Sequence, residues 1–290
     1  FGNVLKYGYM NERKTIVILG PTASGKTGIS IELGKAISGA FTERSLSGCG
    51  LPSGHSPKET LRKDALKSPY QGAEIISADS RAIYRGMELG TAAPSFEEQA
   101  GIPHWGIGIV DPGERFTVAD WKEYAEEKIR EIRERGNLPM VVGGTGLYID
   151  ALIYDYKFGE HEKNSQCDRA EMCSQFLTIG VKTDAEVLRE RITERADKLF
   201  VQELFEETRN LVERYGWGSQ AMKSNIYQFA WGYLQGEYSL EKAKELFIYD
   251  DWHLAKRQMT WFKRNKNIIW LPLEEIRGFV LKCIQDEQRK

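Results

Sequence analysis

Four short apolar runs stand out along the chain, each followed by a polar or amphipathic stretch. They are KTIVIL (14–19), AEIISAD (73–79), LPMVVGG (138–144) and FLTIGV (176–181). Continuous apolar runs of this length, rich in Val and Ile, are typical of parallel strands that are buried on both faces. The pattern therefore predicts four central strands.

Helical patterns lie between and after these strands. A helix is predicted from Lys26 to about Ile37, and a strongly charged helix from Val118 to Arg135, in which apolar side chains recur at helical spacing. From Asp184 onward the chain is mostly helical, with a short strand at 267–271 and a closing helix. Strands that alternate with helices imply a parallel sheet with right-handed crossovers. The expected fold class is therefore α/β, with a mainly helical C-terminal part.

Residues 41–70 interrupt this alternation. They are rich in Ser, Gly, Pro and Lys, a composition that predicts a flexible insertion, with a short helix at 58–67.

The composition is that of an ordinary globular protein. Of the 290 residues, 41% are hydrophobic and 28% are charged, and the formal net charge is −2, so any affinity for nucleic acid must come from local patches. No apolar run reaches the roughly 18 residues that span a bilayer. The first ten residues lack the apolar core of a signal peptide, and Met10 is a candidate natural start. Four scattered cysteines without zinc-site spacing indicate free thiols, so a cytoplasmic location without membrane contact is expected.

A phosphate-binding motif follows the first predicted strand. GPTASGKT (20–27) matches G-x-x-x-x-G-K-[ST] and lies between a strand and a helix. In such a loop the backbone N–H groups and the helix N-terminus face the anion, while Lys26 adds charge and the hydroxyl of Thr27 suits a magnesium ion. The predicted diphosphate ligands here are Gly20, Thr22, Ala23, Ser24, Gly25, Lys26 and Thr27, and the expected cofactor is Mg²⁺. A chance match on a glycine-rich turn is the alternative, and the motif alone does not distinguish a kinase or GTPase from other phosphate chemistry.

Asp79 ends the second predicted strand and is expected at the carboxyl edge of the sheet, where ligands bind in open α/β folds. In a kinase such an aspartate would hold magnesium or activate a hydroxyl. The sequence around it must therefore decide between these chemistries.

Five ordered motifs point to one family. They are GPTASGKT, ISADSRAIYRGMELGTA (76–92), HWGIGIVDP (104–112), VGGTGLY (142–148) and AKRQMTW (255–261). Together they resemble the tRNA dimethylallyltransferase family over roughly residues 14–155 and 176–271. The resemblance implies a P-loop-type parallel sheet flanked by helices. It also implies transfer of a dimethylallyl group from dimethylallyl diphosphate to the exocyclic amine of adenosine 37, in the anticodon loop of tRNA. A monomer is expected.

The chemistry of this transfer suits three residues, which are the predicted catalytic residues. Asp79 is the candidate base, since a carboxylate that takes a proton from the weakly nucleophilic amine can raise the reaction rate about 10²–10⁴-fold. The alternative is that Asp79 ligates magnesium, either directly or through a water molecule. Lys26 would stabilise the leaving diphosphate. Thr145, by resemblance, positions the amine or the diphosphate; the alternative is a helix cap after a tight turn.

Two positively charged segments are candidates for tRNA contact. The resemblance places the residues after Asp79 against the anticodon loop, where Arg suits phosphate contacts and stacking. Residues 252–266 carry five Lys or Arg and no acidic residue, interleaved with aromatics. A solvated surface is the alternative, and Lys256 or Arg257 could instead reach the diphosphate. The predicted tRNA-binding residues are Ser80, Arg81, Tyr84, Arg85, Lys256, Arg257, Gln258, Trp261 and Arg264.

The chain departs from the family pattern in three places. The insertion at 41–70 is extra, and we expect an inert surface loop. Residues 156–175 are predicted to form a reduced insertion subdomain in place of a helical insertion that helps to clasp tRNA, beside a catalytic core of 10–155 and 176–290 whose C-terminal helices bind RNA. Lys223 occupies a polar position that contacts substrate in relatives and is a further candidate diphosphate ligand. Ile226 stands where the family often has glycine, which would allow a close backbone approach.

Three other functions share part of these features. A prenyltransferase of free adenine nucleotides would share the phosphate loop and the aspartate, but it would not need a basic aromatic segment. A small-molecule kinase would need an adenine pocket and a lid. An RNA-binding protein with an inactive site would not need the intact set of Lys26, Thr27, Asp79 and Thr145.

Overall fold

Six strands form one parallel sheet in the order β3-β2-β4-β1-β5-β6. This computed structural model describes residues 14–46, 68–158, 175–219, 221–222 and 225–287, with the backbone alone at 40–46, 225 and 287. The strands are β1 (Thr15–Leu19), β2 (Ala73–Ala78), β3 (His104–Trp105), β4 (Leu138–Gly143), β5 (Phe176–Lys182) and β6 (Ile269–Pro272). The predicted α/β class with a parallel sheet is confirmed.

Helices follow most strands and make up nearly all of the C-terminal part. Within the described residues they are α1 (Lys26–Leu46), α2 (Glu88–Thr91), α3 (Phe96–Gln99), α4 (Val118–Glu134), α5 (Gly146–Ile153), α6 (Ala185–Leu199), α7 (Gln202–Tyr215), α8 (Asn225–Leu234), α9 (Leu240–Phe262) and α10 (Leu273–Glu287). None of the helices in these ranges is long and apolar enough to cross a membrane.

Helix α1 and strand β3 differ from the sequence prediction. Helix α1 continues to Leu46 instead of ending near Ile37, because residues 40–46 include good helix formers and Gly39, directly before them, is tolerated within a helix. Strand β3 was not predicted, since two residues carry no periodic signal. The predicted helix at 58–67, most of the 41–70 insertion and residues 159–174 lie outside the described residues.

The central strands are buried because helices cover both faces of the sheet. Every residue of β1, β2 and β4 is buried. Helices α1 and α10 pack on one face, and α4 and α5 pack on the other, where Trp121 stacks on Tyr148 with ring centroids 4.6 Å apart. Burial on both faces explains the continuous apolar runs in the sequence.

A second apolar core lies among the C-terminal helices. It joins α6, α7, α8 and α9 to the segment between β2 and α2, with Phe200, Phe247 and Tyr227 among its large side chains. The segment after Asp79 is therefore packed between the sheet and the helical part. This arrangement places helices α6 and α9 beside the loops at the carboxyl edge of the sheet.

Candidate active site

Three loops leave the sheet side by side at the carboxyl ends of β1, β2 and β4. The last residues of these strands pair with one another across the sheet, so the loops that begin at Gly20, Asp79 and Gly144 start at one level. Gly143 permits this close pairing, because a Cβ at that position would overlap the backbone of Ala78. In open α/β sheets this edge is where ligands bind.

The loop after β1 has a backbone shape that suits an anion. Ala23 and Gly25 have positive φ angles of 59° and 91°, a backbone conformation that turns amide N–H groups toward one concave side. The Lys26 ammonium lies across the loop and donates to the carbonyl of Pro21 at 2.6 Å and to Ser24 Oγ at 3.5 Å. The predicted diphosphate ligands of this loop are therefore brought together.

Several charged groups converge on Lys26. Burial lowers the pKa of its ammonium to about 8; the carboxylates of Asp79 and Asp251 oppose this shift, and the guanidinium of Arg195 adds to it. The carboxylate proposed as a base and the cation of the phosphate loop therefore lie within electrostatic range of each other.

Asp79 is held by the turn that follows it. Its Oδ1 accepts the backbone N–H groups of Arg81 at 2.8 Å and Ala82 at 3.4 Å. Among the described residues, its other carboxylate oxygen has no hydrogen-bond partner. Burial raises the pKa of the Tyr148 hydroxyl to about 12, and the nearby Tyr84 and Asp79 contribute to the shift. The carboxylate is thus oriented, with one oxygen left for a proton donor.

Thr145 connects the loop after β4 to the loop that carries Asp79. Its Oγ1 accepts the backbone N–H of Ser80 at 3.0 Å and donates to Ser80 Oγ at 3.3 Å. Thr145 occupies the N-cap position of α5, as the alternative interpretation had it, but its side chain makes no capping bond to the helix. Its hydroxyl instead fixes the residue next to Asp79.

Gln258 bridges two of the three loops from helix α9. Its Oε1 accepts the backbone N–H of Thr22 at 2.7 Å, and its Nε2 donates to the carbonyl of Gly144 at 3.1 Å. A Cβ at Gly144 would lie 2.5 Å from Gln258 Nε2, which explains the second glycine of VGGTGLY. One side chain thereby links the phosphate loop to the loop that carries Thr145.

Arg195 is a second link between the phosphate loop and its surroundings. It donates to Thr22 Oγ1, lies 3.5 Å from the carboxylate of Asp251, and donates to the carbonyl of Thr91 at 3.3 Å. Thr22 Oγ1 itself donates to Asp251 at 3.2 Å. A cation from α6 and a buried carboxylate from α9 thus flank the loop.

The predicted tRNA-binding residues after Asp79 differ in exposure. Arg81 is half-buried, Tyr84 is buried and forms an isolated parallel bridge with Val110, and Arg85 is exposed. The guanidinium of Arg85 lies 3.1 Å from the carboxylate of Asp111. Arg85 is the member of this group that presents most surface, and the tRNA contacts stay predictions.

The candidates on α9 and just after it lie on the same element as Gln258. Lys256, Arg257 and Arg264 are exposed, while Trp261 is half-buried. Trp261 Nε1 donates to Asp150 Oδ2 at 2.8 Å, and the Arg264 guanidinium lies 5.3 Å from the centroid of the Trp261 ring. The basic surface of α9 thus adjoins its inward-facing polar side chains.

Thr27 and Lys223 complete the predicted site residues. Thr27 is exposed in the first turn of α1, directly after Lys26, whereas Lys223 lies outside the described residues. Within the described ranges, no group of three or more His, Cys, Asp or Glu side chains could hold a metal ion. Magnesium held mainly by substrate phosphates needs few protein ligands, and the Thr27 hydroxyl fits such a site.

Sequence reasoning missed Arg195 and Asp251. Both lie on amphipathic helices, and Asp251 is buried in the apolar stripe that includes Phe247 and Ala255. A carboxylate within an apolar stripe was the available signal, because a buried charge requires a partner. Arg195 gave a weaker signal, since it lies at the edge of the stripe that includes Ile192.

Comparison with known proteins identifies the group of enzymes that this arrangement resembles. The IPP transferase family model matches residues 82–175 and 160–265. A tRNA dimethylallyltransferase of Alkaliphilus oremlandii is 33% identical over 322 aligned residues, which cover 90% of this chain and 92% of that protein. The chain belongs to the IPP transferase family.

Solved structures of IPP transferases share its fold. A tRNA isopentenylpyrophosphate transferase of Bacillus halodurans superposes with a TM-score of 0.73 at 27% identity, covering 96% of this chain and 99% of that one. A eukaryotic dimethylallyltransferase acting on tRNA superposes with a TM-score of 0.68 at 18% identity. The superposition covers 90% of this chain and 74% of that one. The last likeness concerns the fold alone.

Proposed function

We propose that this enzyme transfers the dimethylallyl group of dimethylallyl diphosphate to the exocyclic amine of an adenosine in tRNA, with release of diphosphate. The observation that carries the proposal is the juxtaposition of the phosphate loop with Asp79 and Thr145 at one level of the sheet edge, in a chain of the IPP transferase family. By resemblance, the acceptor is adenosine 37, which lies in the anticodon loop immediately 3′ of the anticodon.

The donor half of the reaction belongs to the phosphate loop. The allylic C–O bond breaks as the C–N bond forms, so negative charge grows on the departing diphosphate. The Lys26 ammonium and the nearby Arg195 guanidinium supply positive charge that is already in place. Preorganised charge of this kind stabilises a transition state because no reorganisation is needed during the reaction.

Magnesium is the proposed cofactor of this half. The Thr27 hydroxyl would hold it together with the substrate phosphates, and the ion would neutralise part of the charge on the leaving group. Lys223 remains a proposed further diphosphate ligand.

The acceptor half depends on Asp79. The amine of adenine loses a proton when the new bond forms, and the oriented carboxylate of Asp79 accepts it. Thr145 fixes the turn that follows Asp79 through its bonds to Ser80, so its role is to hold the base in place relative to dimethylallyl diphosphate. The adenine must leave its stack to reach this edge, which costs a few kcal/mol in a loop.

The exposed cations are proposed to hold the tRNA. Lys256, Arg257 and Arg264 on and after α9, with the exposed Arg85 between β2 and α2, suit contacts to phosphates. Gln258 and Trp261 make the protein contacts described above, and the proposed tRNA contacts of these two residues add to those bonds.

The decisive experiment measures incorporation of radiolabelled dimethylallyl diphosphate, with magnesium, into unmodified tRNA or into AMP. We expect label in tRNA and not in AMP. Asp79→Asn keeps the acceptor for the turn but removes the base, so kcat should fall about 10²–10⁴-fold. Glu97→Gln, a change at an exposed carboxylate on α3, is the control and should keep wild-type activity.

Two outcomes would contradict the proposal. Label that enters AMP instead of tRNA would assign the enzyme to the prenyltransferases of free nucleotides. A tRNA that binds without receiving label would indicate an inactive RNA-binding relative. Full activity of Asp79→Asn would leave the reaction intact but remove Asp79 as the base.

A further inference from the structure

Glu207 on α7 supplies the hydrogen bonds that helix α2 lacks at its own start. The residue before α2 is Met87, whose side chain makes no capping bond. The carboxylate of Glu207 accepts the backbone N–H of Leu89 at 3.1 Å and that of Gly90 at 2.9 Å. Unpaired N–H groups at a helix start need such an acceptor, and here it comes from 117 or more residues away.

Tyr227 on α8 completes this contact. Its hydroxyl donates to Glu207 Oε1 at 2.6 Å. The ring packs so closely against Gly90 that a Cβ at that position would overlap it. The buried ring of Tyr227 therefore explains the glycine within ELGT, and together with the half-buried Glu207 it holds α2 from two helices.

The other end of α2 reaches the phosphate loop through Arg195. The carbonyl of Thr91, the last residue of α2, accepts from Arg195 Nη2 at 3.3 Å. The opposite nitrogen of the same guanidinium donates to Thr22 and pairs with Asp251. The position of α2 thus sets one of the contacts that aim Arg195 at the phosphate loop.

We propose that Glu207 is a positioning residue for the transfer reaction: it fixes α2 and thereby holds Arg195 against the phosphate loop. The inference rests on the proposed function, because it assigns Glu207 to the diphosphate side of that site. Glu207 acts through Arg195 and does not itself touch the substrate.

The test is a double-mutant cycle with two readouts. Glu207→Gln places an amide donor opposite the N–H groups of α2, and Arg195→Lys removes the two-sided guanidinium contact. The affinity of the purified enzyme for inorganic diphosphate is measured with magnesium by calorimetry, and the KM for dimethylallyl diphosphate is measured by transfer to tRNA. Glu206→Gln, an exposed change on the same helix, is the matched control.

We expect Glu207→Gln to weaken diphosphate binding and raise the KM about tenfold, the size expected for a hydrogen bond to a charged group. In the Arg195→Lys background the same change should have less than about a twofold effect, because the two residues act in series. Tyr227→Phe should raise the KM about threefold by loosening the carboxylate. This variant keeps the cycle informative if Glu207→Gln does not fold.

Equal effects of Glu207→Gln in both backgrounds would overturn the inference, and so would a lowered Tm with unchanged affinity for diphosphate. Either result would leave Glu207 as a purely structural contact. Because inorganic diphosphate binding does not require transfer, a wild-type enzyme that binds diphosphate but does not alkylate tRNA would contradict the proposed function alone.

Discussion

Replacing Gln258 by methionine should break the contact between the phosphate loop and the loop that carries Thr145. Methionine has a similar length and fits the same space, but it cannot accept from Thr22 N–H or donate to the Gly144 carbonyl. These two bonds, at 2.7 and 3.1 Å, are the direct side-chain bridge between the phosphate loop and the loop that carries Thr145. We therefore expect a kinetic effect out of proportion to the loss of stability.

The magnitude follows from the two bonds and from the geometry of the transfer. Each neutral bond contributes about 1 kcal/mol net, so the free energy of unfolding should fall by about 2 kcal/mol. A shift of about 1 Å between reacting groups can cost about 10²-fold in rate. The kcat should therefore fall about 10- to 100-fold, and Gln258→Glu should do no better, because its second oxygen would face the Gly144 carbonyl.

The assay combines single-turnover transfer to tRNA at saturating substrates with urea unfolding of the free enzyme. Thr260→Ala is the control, since Thr260 is exposed and its hydroxyl bonds only to the carbonyl of Lys256 within α9 among the described residues. A Gln258→Met enzyme with wild-type kcat and an unchanged free energy of unfolding would contradict the role of Gln258 as a bridge between the two loops. A raised KM for tRNA with wild-type kcat would instead support the role predicted from sequence, contact with tRNA.

Two further predictions concern charge and buried polar contacts. Since burial lowers the pKa of Lys26 to about 8, the free enzyme loses the proton of this ammonium as the pH rises through 8, whereas bound diphosphate favours the charged form. Diphosphate binding at pH 9 should therefore take up about one proton, and calorimetry in two buffers that shows no proton uptake would contradict this. Trp261→Phe should lower the free energy of unfolding by about 1–3 kcal/mol, because the Asp150 carboxyl, whose pKa is raised by burial, loses the indole N–H that donates to it. An unchanged urea midpoint would show that this hydrogen bond contributes nothing to stability.

The central strands were predictable because the sheet is covered on both sides. Burial on two faces requires an unbroken apolar run, and such runs are visible without any structure. Strand β3 was not visible, because its pairing with Ile75 and Ile76 is made by a segment of two residues. The end of α1 was missed because a change in composition was interpreted as the start of the insertion.

The candidate site was predictable where one motif carries its own geometry. The phosphate loop and Asp79 follow directly after strands, so their place at the sheet edge follows from sequence order. Gln258 and Asp251 meet Thr22 across separations of 236 and 229 residues. Their roles depend on how α9 packs against the sheet, and no local pattern specifies that packing.

The direction of the strands also determines where the chain can change its length. All strands point their carboxyl ends at the reaction, so a segment that leads into the beginning of a strand enters the sheet from the far side. Residues 47–67 precede β2, and residues 159–174 precede β5. The first residues of β2 and β5, to which these segments lead, therefore lie at the edge of the sheet opposite the candidate site. A fusion or a deletion at either point should leave the distance between the proposed base and the leaving group unchanged, because the sheet sets that distance.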